Sequence, residues 1–260
     1  MRRYRIKAPR TIYHITSRGN GGQRIFHDDP DRLRFLAQLA RIIHKMEWHC
    51  HSYCLMGNHY HLLMETGEDN LSEGVQWLNG RYAQTHNVRH GTGGHLFQDR
   101  FDSSIVDTDE YFMIVASYIV LNPVKAGLAV HPAVWQWSSY LETVEGKAEV
   151  DFLESKRLLS LFDDDARTAR LSFKEFVESC MEVLLEDGTV SSRRDRQKPR
   201  PVRPELGEIL GGQTGNRRDR NELILAAYLE HGYCLREIAC FLEMSTAGIC
   251  KIVNSFKEKV

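Results

Sequence analysis

At 260 residues the chain has room for one sizeable folding unit and a smaller one. Hydrophobic residues at 42%, charged residues at 27% and only 7 prolines exclude a disordered or fibrous protein, and no apolar run approaches the roughly 20 residues of a membrane span. The net charge of -1 gives no overall basic surplus for binding nucleic acid, so any grip on phosphate must come from local clusters.

Two such clusters exist. Arg2, Arg3, Arg5, Lys7 and Arg10 crowd the start, and Arg193, Arg194, Arg196, Lys198, Arg200 and Arg203 lie late in the chain, offset by acidic stretches such as Asp163 to Asp165. Either run alone reads equally as a DNA contact or a solvated tail. The six cysteines follow no framework spacing and the chain opens with charge, which predicts a cytoplasmic protein with reduced thiols.

Thr11 to Ser17 alternates β-formers and meets the turn-rich Arg18-Gly-Asn-Gly-Gly22, a first strand. Asp28 to Pro30 supplies a helix start, and Leu33, Leu36, Leu39, Ala40, Ile43 and Met46 recur at helical spacing to about residue 47. Trp48 to Leu55 and His59 to Glu65 form a hairpin across Met56-Gly57-Asn58. A second helix spans Leu71 to Asn87, and His95 to Val106 reads as another strand after a Gly-rich loop. Asp107 to Glu110 starts a third helix, which carries Tyr118 and should stop near Asn122, because proline disfavours helical geometry in the residue before it. This order predicts an antiparallel sheet with packed helices, an α+β sandwich. Beyond Trp137-Ser-Ser-Tyr140, helical patterns appear at Leu153 to Phe162 and Phe173 to Leu185. A basic, proline-bearing linker covers 191–204, and Arg220 to Val260 is helical again.

In His59-Tyr60-His61 the imidazoles stand at i and i+2, so on a strand they share a face and could share one ion. Two packing histidines on an edge strand would have the same spacing. Nearby His49, Cys50, His51 and Cys54 lack the loop that separates ligand pairs in structural zinc sites. Alternation puts His49 and His51 on one face and Cys50 and Cys54 on the other, which favours core or edge roles. Tyr118 and Asn122, at i and i+4, share a helix face and could pair a nucleophile with a metal ligand. A core aromatic and a helix-terminal amide are the plainer reading.

Met56-Gly-Asn-His-Tyr-His-Leu-Leu63, followed by Tyr118-Ile-Val-Leu-Asn-Pro-Val-Lys-Ala-Gly127, resembles the IS200-like Y1 transposases of the HUH type, and among them the REP-associated tyrosine transposases. Tyr13 to Asn20, Gly94 to Phe101 and Trp137 to Tyr140 stand in the same order, so the resemblance covers roughly residues 8 to 140. It implies a ferredoxin-like α+β domain, here over 1–145, and the helical patterns beyond it make an extension at 146–190. It further implies that His59, His61 and Asn122 bind Mg2+ or Mn2+ and that Tyr118 attacks the phosphate. The expected partner is a hairpin-bearing single strand of DNA, cut through a 5'-phosphotyrosine and resealed without ATP. Arg18, Asn20, Arg100 and Lys125 are the expected DNA contacts in this domain. Gly57, where the family more often has proline, should loosen the turn. Related enzymes act as monomers or homodimers, and the chain does not choose between them.

Cys234 to Val253 reads as helix, short turn, helix, and resembles a helix-turn-helix within a C-terminal all-α region at 205–260. Ser245, Thr246 and Lys251 would then face DNA; a small helical bundle fits the same pattern. Intact His59, His61, Tyr118 and Asn122 weigh against a catalytically dead DNA-binding regulator. The length leaves no room for the helicase that a replication initiator or relaxase generally brings. A hydrolase of small phosphoesters would form no covalent DNA adduct.

Overall fold

A computed structural model describes residues 10–147, 150–186 and 204–211, with isolated residues between 220 and 252. The chain forms two compact units, residues 1–183 and 184–260. Arg2, Arg3, Arg5, Lys7 and the basic stretch from Arg193 to Arg203 lie outside the described residues.

In the first unit four strands, β1 (Thr11–Arg18), β2 (His49–Leu55), β3 (His59–Thr66) and β4 (Asp102–Val106), make one antiparallel sheet in the order β2-β3-β1-β4. Helix α1 (Asp29–Met46) joins β1 to β2 and α2 (Leu71–His90) joins β3 to β4. This βαββαβ path with its two central strands β1 and β3 is the ferredoxin-like arrangement. Both helices pack on one face, where Tyr13, Ile15, Phe35, Leu39, Tyr60 and Leu62 build the core. Burial removes enough apolar surface to offset ordering of the chain.

Helix α1 begins because the Asp28 side chain accepts the Asp31 N–H at 3.1 Å and Pro30 fits the first turn. Of its periodic positions Leu33 faces water, 58% exposed, while Leu36, Leu39, Ile43 and Met46 are buried. The strand expected from His95 shortens to β4, because Leu96 and Phe101 both enter the core. Side chains five residues apart on a regular strand would point to opposite faces. The intervening backbone bonds the end of β1 instead, with Asn20 N–H donating to Leu96 O at 2.9 Å and Gln98 N–H to Arg18 O at 2.9 Å.

Helix α3 (Asp109–Lys125) starts at Thr108, whose hydroxyl accepts the Tyr111 N–H, and lies across the other sheet face. It does not stop at Asn122. Pro123 cannot donate to Ile119 O, but the Asn122 amide does so at 3.4 Å and also donates to Tyr118 O at 2.9 Å. With the orphaned carbonyl partnered, the helix continues for three residues past Asn122 to Lys125. Beyond it come α4 (Tyr140–Glu145), the single-turn α5 (Lys156–Ser160) and α6 (Ala166–Glu186). Hence the pattern at Leu153 to Phe162 gives only one helical turn, whereas that at Phe173 to Leu185 starts earlier. Among the described residues no helix is long and apolar enough to cross a membrane.

The second unit contains α7 (Leu206–Leu210), opened by a reciprocal capping box between Glu205 and Glu208. Ile238, Ala239 and Ile249 are buried there. Ser245, Thr246 and Lys251 lie outside the described residues.

Candidate active site

Pairing register assembles the site. In antiparallel strands directly opposed residues share a face, and Arg18 lies opposite His59 and Thr16 opposite His61, so His14 is the diagonal neighbour of His61. All point away from α1 and α2, toward the face that α3 covers. Glu154, Glu65 and Arg157 hold the neighbouring edge strand. His51 Nε2 meets Glu65 Oε2 at 3.1 Å, Arg157 donates to the same oxygen at 2.8 Å, and His51 Nδ1 meets Glu154 O at 3.1 Å.

The two histidines of the pair are oriented through the same ring atom. His59 Nδ1 lies 2.7 Å from Asn58 Oδ1, and His61 Nδ1 lies 3.0 Å from His14 Nε2. Each ring therefore has Nε2 left over, and that of His61 is buried with no hydrogen-bond partner. Burial lowers the pKa of His61 to about 2, with the charges of His59, His14 and Lys125 adding to the effect. Burial likewise lowers His14 and His59 to about 4, and Arg18 contributes at His59. Neutral imidazoles with free Nε2 lone pairs are the form that binds metal. The ring centroids of His59 and His61 are 5.0 Å apart.

Helix α3 brings Tyr118 to these rings, with centroids 5.7 Å from His61 and 5.9 Å from His14. Tyr118 remains 36% exposed, open to a substrate, and the Lys125 ammonium lies 5.1 Å over its ring. Burial raises the phenol's pKa while the Asn122 side chain pulls it down. Because Asn122 commits its nitrogen to helix carbonyls, its Oδ1 is what remains for a cation. Two neutral imidazoles, one of them with its Nε2 buried and unpartnered, and an amide oxygen fit a divalent ion with positions open to water or phosphate.

Of the expected DNA contacts, Arg18 and Lys125 are exposed beside the histidines and the tyrosine. Asn20 is exposed in the turn after β1, and Arg100 lines a cavity of about 720 Å³ between α2 and Gly94–Phe101. Alternation misassigns one cysteine, because a β-bulge at His51 resets β2 and turns Cys54 to the His61 face while Cys50 enters the core. Both are buried and free of disulfides. Nor is the turn at Gly57 loose, since its carbonyl accepts the N–H groups of Ile25 at 3.0 Å and Phe26 at 3.1 Å. His14 and Asn58 escaped the sequence reading as orienting residues; the period-2 signal of β1 was available, but its register against β3 was not.

Residues 7–122 match the family model described as transposase IS200 like. Among solved structures, the chain is similar to a REP-associated tyrosine transposase bound to a REP hairpin, with 17% identity and a TM-score of 0.49. That similarity covers 59% of this chain and 92% of the other. No curated protein matches the chain.

Proposed function

We propose, on the premise that the chain belongs to the IS200-like transposase family through residues 7–122, that it nicks and rejoins single-stranded DNA with Tyr118 as nucleophile. The observation that carries this reading is the meeting of Tyr118 with His61, whose buried Nε2 has no hydrogen-bond partner. His59, His61 and Asn122 would hold Mg2+ or Mn2+, which when bound neutralises charge on the phosphate's non-bridging oxygens. The Tyr118 oxygen attacks phosphorus, the P–O3' bond breaks, and the departing oxygen takes a proton to give a free 3'-OH. The DNA 5'-phosphate stays on Tyr118. Attack by another 3'-OH reverses the exchange, and one phosphoester replaces another at each step, so no nucleotide cofactor is consumed.

Lys125 supports this role, because a positive charge 5.1 Å over the Tyr118 ring favours the phenolate over the phenol. Arg18, Asn20 and Arg100 would position the strand through its phosphates, and the preferred substrate would be a single strand bearing a palindromic hairpin. The test is incubation of the full chain with a labelled single-stranded hairpin and Mn2+. Wild type should yield a protein–DNA adduct that resists denaturation, and Tyr118→Phe should bind the hairpin without forming it. An adduct persisting in Tyr118→Phe, or full activity of wild type in chelator, would overturn the assignment.

A further inference from the structure

We infer that the protein carries a second metal site, of zinc type, on the opposite side of the sheet, made by Asp31, His86 and His90. Asp31 stands in the first turn of α1, while His86 and His90 stand at i and i+4 near the end of α2, so both imidazoles share a helix face. One ligand atom from each residue lies within 4.8 Å of the other two. Ligand atoms around a tetrahedral zinc ion, with bonds of about 2.0–2.2 Å, sit roughly 3.4 Å apart. Small side-chain rotations therefore close the site without moving either helix.

Three observations point to an ion rather than a plain ion pair. His86 is 5% exposed, and neither ring nitrogen makes a hydrogen bond of good geometry, the Asn87 side chain coming near enough only to oppose the effect of burial on its pKa. Folded proteins rarely bury both polar atoms of a ring unsatisfied. Its ring lies 4.5 Å from that of His90, and His27 completes a huddle at 5.3 Å from His86 and 4.7 Å from His90. Finally, the charges leave one negative unit for a cation. Arg89 donates to both oxygens of Asp28, at 2.7 and 2.6 Å, and to Asp31 Oδ1 at 2.5 Å, so two carboxylates share one guanidinium.

Asp31 Oδ2 accepts the His27 N–H at 2.9 Å and meets His90 Nε2 at 3.0 Å. An ion would take the place of the His90 contact, with Arg89 and the His27 backbone orienting the carboxylate from behind. Imidazole pairs with one carboxylate suit zinc and similar first-row ions better than magnesium. The fourth position falls to water or to His27, which is exposed at the mouth. Such an ion would staple the start of α1 to the end of α2, at the root of the segment that carries Arg100.

The test is zinc binding by the full chain, without an affinity tag and after removal of metal by chelator. The His59→Ala/His61→Ala double variant should retain one tightly held zinc per chain, and its Tm should rise on the order of 5–10 °C in zinc well above Kd. Cobalt substituted there should give the intense visible absorption of a tetrahedral ion, without the thiolate band that cysteine ligands produce. His90→Gln added to that double variant, at a partly exposed position that should leave the fold intact by circular dichroism, should lose both the ion and the Tm rise. Retention of zinc when His90→Gln is added to the double variant, or no retained zinc in the double variant, would refute the site. These readouts do not use DNA cleavage, so they stand apart from the assignment of Tyr118.

Discussion

A histidine that touches no substrate can still set the strength of a metal site. His14 Nε2 lies 3.0 Å from His61 Nδ1 and the two rings stack, which holds the His61 ring in place with its Nε2 left for an ion. Loss of such a partner typically weakens metal binding about 10- to 100-fold. His14→Ala should therefore lower Mn2+ affinity by that order in calorimetric titration, with hairpin binding in chelator unchanged. An unaltered affinity would leave His14 as packing alone. At this scale the sequence spoke clearly wherever the signal was local. The i, i+2 spacing of His59 and His61 and the i, i+4 spacing of Tyr118 and Asn122 follow directly from strand and helix geometry. His14 and the displaced Cys54 depend on which residue of one strand stands opposite which residue of another. A single bulge at His51 changes that answer, and no neighbouring residue announces it.

Among elements, the contact of α5 with the sheet rests on charge. Glu65 joins His51 of β2 to Arg157 of α5, and the hydrogen bond from His51, then Arg157, lowers its pKa from 4.5 to about 2 despite the opposing effect of burial. A carboxylate whose folded pKa is depressed adds stability above its unfolded pKa and loses it as pH falls toward the folded one. Glu65→Gln should accordingly cost about 1–2 kcal/mol at pH 7. The gap to wild type should shrink between pH 4.5 and pH 2. Denaturant titrations across that range would measure it, and a gap independent of pH would mean that shape rather than charge is lost. Helix and strand identities were legible because their periods run over many residues. The end of α3 was not, since Pro123 signals a stop and only the folded Asn122 rotamer explains why the helix goes on. Gly74 was equally silent: a Cβ there would come within 2.3 Å of the Trp48 ring, so the residue that weakens α2 in isolation is the one that lets β2's flank pack against it.

For the whole molecule, every residue of the candidate site falls in the unit formed by residues 1–183. The basic stretch from Arg193 to Arg203 belongs to the other unit's part of the chain and contains no residue of the candidate site. Deleting residues 191–260 should weaken hairpin binding and flatten its salt dependence by about 0.7 per lost phosphate contact on single strands. Cleavage at high enzyme concentration should survive. Binding of unchanged strength and slope would assign the C-terminal region to another task. The bond from Asn122 to Ile119 O, which exists because proline cannot make it, carries a consequence for how this protein can change. Pro123→Ala would restore the backbone N–H and should raise stability by about 1 kcal/mol or more. It would also take Ile119 O from the Asn122 amide, leaving that amide only its bond to Tyr118 O, so Mn2+ affinity should fall as Tm climbs, and calorimetry with thermal melts would record both. Under the proposed function, selection for sturdiness and selection for metal binding then oppose each other at one position, and a more stable descendant of this chain is one in which that proline has been given up along with part of its hold on the ion.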